Sequence, residues 1–430
     1  MRYARAAFVL FFVAVLMHPA AGDTFRAGYA KRDVTPENPV PMGGYGARGD
    51  ALSEGVRDPL YAKALVIEAG GERLALVGLD MGRPPMTHSM NAIMEAVAEK
   101  SVEHVMIVAS HTHHGPQTTL LDKPGMGQGT FDDAVAYTQS LEDSIIEVIG
   151  EAVENLEEAR IGWATQDIDM NRNRHSDYEP KPRDPELAVV RFDNMDGEPI
   201  AIMVNFAAHP TMHPVDDLRI SAEWPGAMMT AVETETGIDC FFMQGAAGDL
   251  TVRRPPGVDG IDGFGQALAE KVIAMAETIE THAPEEPSIQ AVMKRYELDS
   301  RVPLQDENVI NMYRQAFFPE FVNASLTEFE DGKIRPVMTV ALLNGEVALV
   351  GGSGEFFSAH SVRLKERFRG ALTLFFGYCN GSHLYFPTIE GAAEGGYGAG
   401  PQVAWVEVGA PEKLMNDALI LLYQMRGDLD

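Results

Sequence analysis

The sequence predicts an α/β protein of mixed β-sheets with hairpins, and with helices packed outside them. Three observations carry this. Apolar runs rich in Val, Ile, Leu and Ala recur along the chain. Three of them are doubled into hairpins by short polar turns. Between the runs lie stretches whose apolar residues fall three and four apart, the spacing of an amphipathic helix.

The first hairpin is Ala64 to Ala69, Gly70-Gly71, then Arg73 to Asp80. The second is Val189 to Phe192, a turn around Asp196-Gly197, then Pro199 to His209. The third is Val337 to Leu343, Asn344-Gly345, then Val347 to Glu355; Asn-Gly is the strongest turn signal of the set. Each second strand ends in a polar residue: Asp80, His209, Glu355. The runs His104 to His111 and Leu374 to Asn380 end likewise, and Cys240 to Gln244 leads into Gly245-Ala246-Ala247-Gly248-Asp249. Helical spacing covers Met90 to Ala98, Val135 to Leu156, Ala267 to Ile279 and Leu414 to Leu422. Ligands of such sheets bind where strands end, so polar residues gathered there are the candidates for chemistry.

Residues 1–22 read as an export signal. Arg2 and Arg5 precede the apolar run Ala6 to Met17, and Ala20-Ala21-Gly22 offers small residues for cleavage. That run falls short of the roughly 20 residues needed to span a bilayer, and no later stretch is long and apolar enough. The expectation is a secreted or periplasmic protein without an integral membrane segment, its residues 23–430 forming one catalytic domain. Those residues carry 32 basic and 63 acidic side chains, a net charge of −31. Such a surface repels phosphate backbones, so nucleic acid is excluded as a partner. Two cysteines, Cys240 and Cys379, make no disulfide framework, and both sit in apolar runs that suit buried thiols as well as one bridge. Asn323-Ala324-Ser325 and Asn380-Gly381-Ser382 match the glycosylation pattern; the second falls within the candidate site and is read as unused.

The chemistry concentrates in Ser110-His111-Thr112-His113-His114-Gly115-Pro116. On an extended segment alternate side chains share a face, so His111 and His113 can address one site. His209 ends a strand in Asn205-Phe206-Ala207-Ala208-His209, where alone it would read as a bonded core histidine. Glu355 follows Gly351-Gly352-Ser353-Gly354, and a carboxylate behind an apolar strand is costly to bury unless paired or metal-bound. Two imidazoles and a carboxylate are a common zinc set that leaves a position for water, whose pKa the metal lowers to about 7.

The histidine segment resembles the His-Thr-His-Ser-Gly-Pro motif of the neutral, non-lysosomal ceramidase family. The likeness continues in order along the chain. Pro41-Met42-Gly43-Gly44-Tyr45-Gly46 is similar to that family's early Met-Gly-Tyr segment, and Asn173-Arg174 to its Asn-Arg-Ser-Pro site. Gln244 to Thr251 resembles its Gln-Ser-Asn-Val-Gly-Asp-Val-Ser loop, Ser353-Gly354-Glu355-Phe356 its Pro-Gly-Glu segment, and Asn380 to Thr388 a stretch with tyrosine five residues after asparagine.

The resemblance implies one zinc per chain on His111, His209, Glu355 and Tyr385. It further implies that His113, Arg174 and Tyr397 contact the scissile group, while Asp249 orients its loop or a ligand histidine. Thr251 stands where the family has a loop serine, and the resemblance makes it a catalytic candidate whose hydroxyl can still donate a hydrogen bond, while its extra methyl crowds a nucleophile and favours metal-activated water. Pro387 and Glu394-Gly395-Gly396 also depart from the family pattern beside the pocket. The chain stops at Asp430, whereas the ceramidases continue into a C-terminal sandwich domain. The expected activity is zinc-dependent hydrolysis of an N-acyl amide, a ceramide-like lipid or related N-acyl amine. The alternatives are another acyl bond at the same site (an N-acyl amino acid, ester or lactone) and a secreted protein that holds metal without catalysis.

Overall fold

The computed structural model describes residues 24–329 and 331–430. The proposed export signal lies outside the described residues. The first sheet has eight strands: β1 (Arg26–Asp33), β2 (Tyr61–Ala69), β3 (Glu72–Leu79), β4 (His104–Ala109), β5 (Glu157–Asp167), β6 (Glu186–Asn194), β7 (Pro199–Phe206) and β8 (Cys240–Gln244). Their spatial order is β8-β7-β6-β5-β1-β2-β3-β4, antiparallel except for the parallel pairs β7/β8 and β3/β4. The second sheet holds β9 (Ile289–Arg295), β10 (Val337–Leu343), β11 (Val347–Gly352) and β12 (Leu372–Phe376), with β11/β12 parallel. All three expected hairpins form, as β2/β3, β6/β7 and β10/β11.

Period-two alternation explains the layering. Along β2, Leu65, Ile67 and Ala69 enter one core cluster, and Ala62, Ala64 and Val66 another. The first cluster joins both sheets, bringing Met106, Val108 and Met243 together with Leu349, Leu374 and Phe376. The outer faces are covered by helices. Helices α1 (Thr87–Ala98) and α2 (Asp132–Glu154) cover β2 to β4; α3 (Glu223–Thr236) and α4 (Gly260–Ala276) cover β6 to β8. After α5 (Glu307–Ala316) and α6 (Pro319–Leu326), α7 (Ser358–Arg367) and α9 (Ala410–Met425) cover the second sheet, with the short α8 (Ile389–Glu394) between them. Strands buried on both faces read as continuous apolar runs, which is why they stand out in the sequence. The first sheet also curls, so that β8 returns against β3: a Cβ on Gly78 would sit 2.7 Å from the Phe242 carbonyl oxygen.

Two local expectations need correction. The strand carrying His111 ends at Ala109, and His111 adopts φ +66°, so extended alternation does not place His111 and His113. A left-handed residue followed by a turn does. The strand before Glu355 ends at Gly352, and Glu355 belongs to a separate two-residue pairing with Tyr385. Both cysteines are buried free thiols. The Asn380 side chain is buried and spent on the core: its Oδ1 accepts from the Ile107 N–H, and its Nδ2 donates to Val105 O and Thr339 Oγ1.

Asp80, just beyond β3, is a buried carboxyl that accepts the Tyr61 N–H at 3.0 Å. Burial raises its pKa to about 7, against the opposing pull of Lys63 and that hydrogen bond. A carboxyl raised in the fold stabilises it fully below the unfolded value of about 4, and that contribution is lost as pH rises through about 7. Asp80→Asn keeps the acceptor and deletes the proton. It is expected to be the more stable protein at about pH 8, by roughly 1–3 kcal/mol, with the difference closing near about pH 4. Denaturant midpoints of both proteins across this range test it, and parallel pH profiles would reject it.

Candidate active site

The polar residues past the strand ends converge on one point. β4 delivers His111 and His113, β7 delivers His209, and the Glu355–Tyr385 pairing delivers both its members. Gly354 permits this close approach, since a Cβ there would lie 2.3 Å from the Phe386 ring. His111 Nε2 lies 3.1 Å from His209 Nε2 and 3.2 Å from His113 Nε2. Glu355 Oε2 lies 3.5 Å and 3.3 Å from the Nε2 atoms of His111 and His209. Among the described residues, His111, His113 and His209 are the one group of three or more His, Cys, Asp or Glu drawn close enough to hold an ion, with donor atoms within 4.8 Å of one another.

Tautomers follow from the partners. His111 Nδ1 is 2.6 Å from the Gly82 carbonyl and His209 Nδ1 is 2.7 Å from that of Ala247, so both Nδ1 atoms carry the proton. The two Nε2 lone pairs therefore face each other across 3.1 Å, beside a carboxylate. The Arg174 guanidinium, 2.9 Å from His209 Nε2, relieves part of this repulsion and a metal ion among the donors would relieve the rest; imidazoles held by carbonyls behind them are a regular feature of metal sites. The donor set fits zinc. His113 differs: its Nδ1 is buried without a partner.

The electrostatics agree. Burial, then the Arg174 guanidinium, pushes His209 down to about 3, and burial, then His111, takes His113 well below its usual range, so both are neutral. Burial, then Glu355, raises the Tyr385 phenol well above its ordinary value. Arg174 reaches Tyr385 Oη at 3.1 Å, His209 Nε2 at 2.9 Å and the Gly248 carbonyl at 3.1 Å.

Tyr397 stands at the rim, 70% exposed, its ring 5.6 Å from that of Tyr385. Thr251 lies on the short strand Leu250–Val252, bridged through its backbone to His209; among the described residues no hydrogen bond reaches its hydroxyl. Asp249 orients the loop rather than a histidine. It accepts from Asn173 Nδ2 at 2.8 Å and from the Ser358 N–H at 2.6 Å, and its own carbonyl takes the Arg174 N–H at 2.8 Å.

Two residues escaped the sequence reading. Tyr378 stacks on His111 with ring centres 4.2 Å apart, its hydroxyl 3.5 Å from Glu355 Oε2. Its signal was its place two residues before Asn380, at the end of an apolar run. Arg48 is buried beneath the histidine turn and donates to the carbonyls of His113, Gly43, Val215 and Asp217. Tyr45, from the Met-Gly-Gly-Tyr segment, sets its ring 4.7 Å from that of His113.

The family model of neutral/alkaline non-lysosomal ceramidase, N-terminal, matches residues 25–250. This chain belongs to the neutral/alkaline ceramidase family. The family member resembles two solved structures throughout its fold. The neutral ceramidase from Pseudomonas aeruginosa aligns with a TM-score of 0.74 at 19% identity, covering 95% of this chain and 75% of that one. A ceramidase complexed with C2 aligns with a TM-score of 0.74 at 18% identity, covering 95% and 76%. The likeness extends well past residue 250, into the part that carries Glu355 and Tyr385.

Proposed function

We propose that this ceramidase-family chain is an exported hydrolase, residues 23–430 after removal of its leader, that cleaves an N-acyl amide with the help of one zinc ion. The observation that carries the reading is the convergence of the His111 and His209 Nε2 atoms, 3.1 Å apart, with the Glu355 carboxyl 3.3 Å from His209. These three, with Tyr385 as a further donor, would hold the metal. Zinc bound there supplies a Lewis acid and makes water a nucleophile near neutral pH.

The remaining side chains have separable tasks. Arg174 stays charged among the site phenols and presents N–H groups where negative charge develops on the attacked carbonyl. Tyr397, exposed at the rim, is free to close over the same oxygen. His113 is neutral and sets its Nε2 3.2 Å from that of His111, so it would take a proton at that atom and return it to the leaving amine. Thr251 supports the His209 backbone and needs no covalent role.

Purified protein assayed on long-chain ceramide, short N-acyl amines, N-acyl amino acids and matching esters tests the proposal. Amide hydrolysis is expected, lost in chelator and restored by zinc, with long-chain ceramide turned over poorly. Turnover confined to the esters would replace the amide assignment, and indifference to chelator would remove the metal.

A further inference from the structure

Arg83 follows Gly82, whose carbonyl holds His111 Nδ1. It lines a narrow cavity, about 90 Å³, whose other walls include Phe317, Phe321, Phe329, Leu384 and Trp405. Leu384, held at φ +60°, directly precedes Tyr385, so one wall of the cavity is a single residue removed from the donor set. The guanidinium lies 5.6 Å from the Phe321 ring centre. Among the described residues no hydrogen bond or carboxylate reaches it. Arg48 and Arg174, the other arginines near the site, are each bonded to several acceptors. Burial pulls the Arg83 pKa down, and the charge acting most strongly upon it is Glu355, which is already engaged by His111 and His209. An arginine does not shed its proton in a protein, so this half-buried cation keeps an uncompensated charge beside an apolar cavity.

We propose that Arg83 is a specificity-determining residue that receives a carboxylate on the amine half of the substrate, the aromatic cavity taking the apolar portion beside it. The preferred substrates are then N-acyl amino acids rather than neutral N-acyl amines. The inference rests on the amide-hydrolase reading above. A guanidinium meets a carboxylate through two parallel N–H···O bonds, a geometry a neutral hydroxyl cannot match.

The test compares N-acylglycine with the N-acylethanolamine of the same acyl chain, which exchanges carboxylate for hydroxymethyl. The ratio of their kcat/KM values is expected to favour the glycine conjugate by about 10- to 100-fold, the size of a charge-assisted pair. In Arg83→Gln, at equal zinc content, the ratio falls toward one, and Arg83→Lys lies between. A wild-type preference for the ethanolamine conjugate overturns the proposal, as does an unchanged ratio in Arg83→Gln. Inhibition by free fatty acid that depends on Arg83, without any preference between the substrates, assigns the residue to the acid product and also overturns it. If neither amide is cleaved, the amide reading fails by itself. Calorimetric binding of N-acylglycine then decides: affinity weakened about 10-fold or more in Arg83→Gln supports the assignment, and equal affinity rejects it.

Discussion

Glu355→Ala is expected to lower kcat/KM on the best amide substrate roughly 1000-fold or more, because a Lewis acid contributes several kcal/mol of charge stabilisation. The variant deletes the carboxylate set against His209 and His111, at 3.3 and 3.5 Å. His209→Ala should do the same, since it removes a donor fixed from behind by Ala247. Both variants should lose zinc in step with activity. Thr251→Ala should retain zinc and most of its turnover, its hydroxyl having no hydrogen bond among the described residues. Metal analysis and steady-state kinetics on the three proteins check this together. Full zinc content in both Glu355→Ala and His209→Ala would falsify the donor assignment, and a covalent acyl group trapped on Thr251 would reverse the ranking.

Arg48→Met is expected to destabilise the fold by about 1–3 kcal/mol or more, the cost of leaving buried carbonyls without their donor. Its guanidinium ties the Gly43 segment, the His113 turn and the Val215–Asp217 loop into one unit, and it also meets His114 Nε2. Methionine fills similar volume and leaves the buried Gly43 and His113 carbonyls without this donor. Arg48→Lys keeps the charge but loses the fork, so it should recover only part of the loss. Guanidinium denaturation in the presence of chelator isolates the effect from metal binding. A midpoint for Arg48→Met equal to the wild type would show that the network is dispensable.

What the sequence disclosed follows from where each element's energy comes from. Hairpins β2/β3 and β10/β11 are buried on both faces and closed by Gly-Gly and Asn-Gly, so run and turn both stand out locally. Helix α3 begins Glu223-Trp224-Pro225-Gly226 and draws its support from α4 and β7, a tertiary source that no periodicity shows. β1 and β5 carry exposed charges between their apolar residues and take their place from sheet pairing. At the site, His111, His209 and Glu355 were legible because a polar residue ending an apolar run is chemically conspicuous. Arg48 and Tyr378 were not: an arginine in a glycine-rich loop and a tyrosine inside an apolar run acquire meaning only from what the fold sets beside them.

The pairing of Glu355 with Tyr385 beside histidines from the other sheet has a consequence for the order of folding. His111 and Tyr385 lie 274 residues apart in the chain. Contacts closed over such a separation form late, after local hairpins have reduced the entropy of closing the loop. The donors meet only when the two sheets have docked through their shared core. A nascent chain released as far as residue 250 holds both histidines and neither Glu355 nor Tyr385, so it has no complete set with which to capture an ion or attack an acyl bond. The complete donor set is therefore expected only once both sheets have docked.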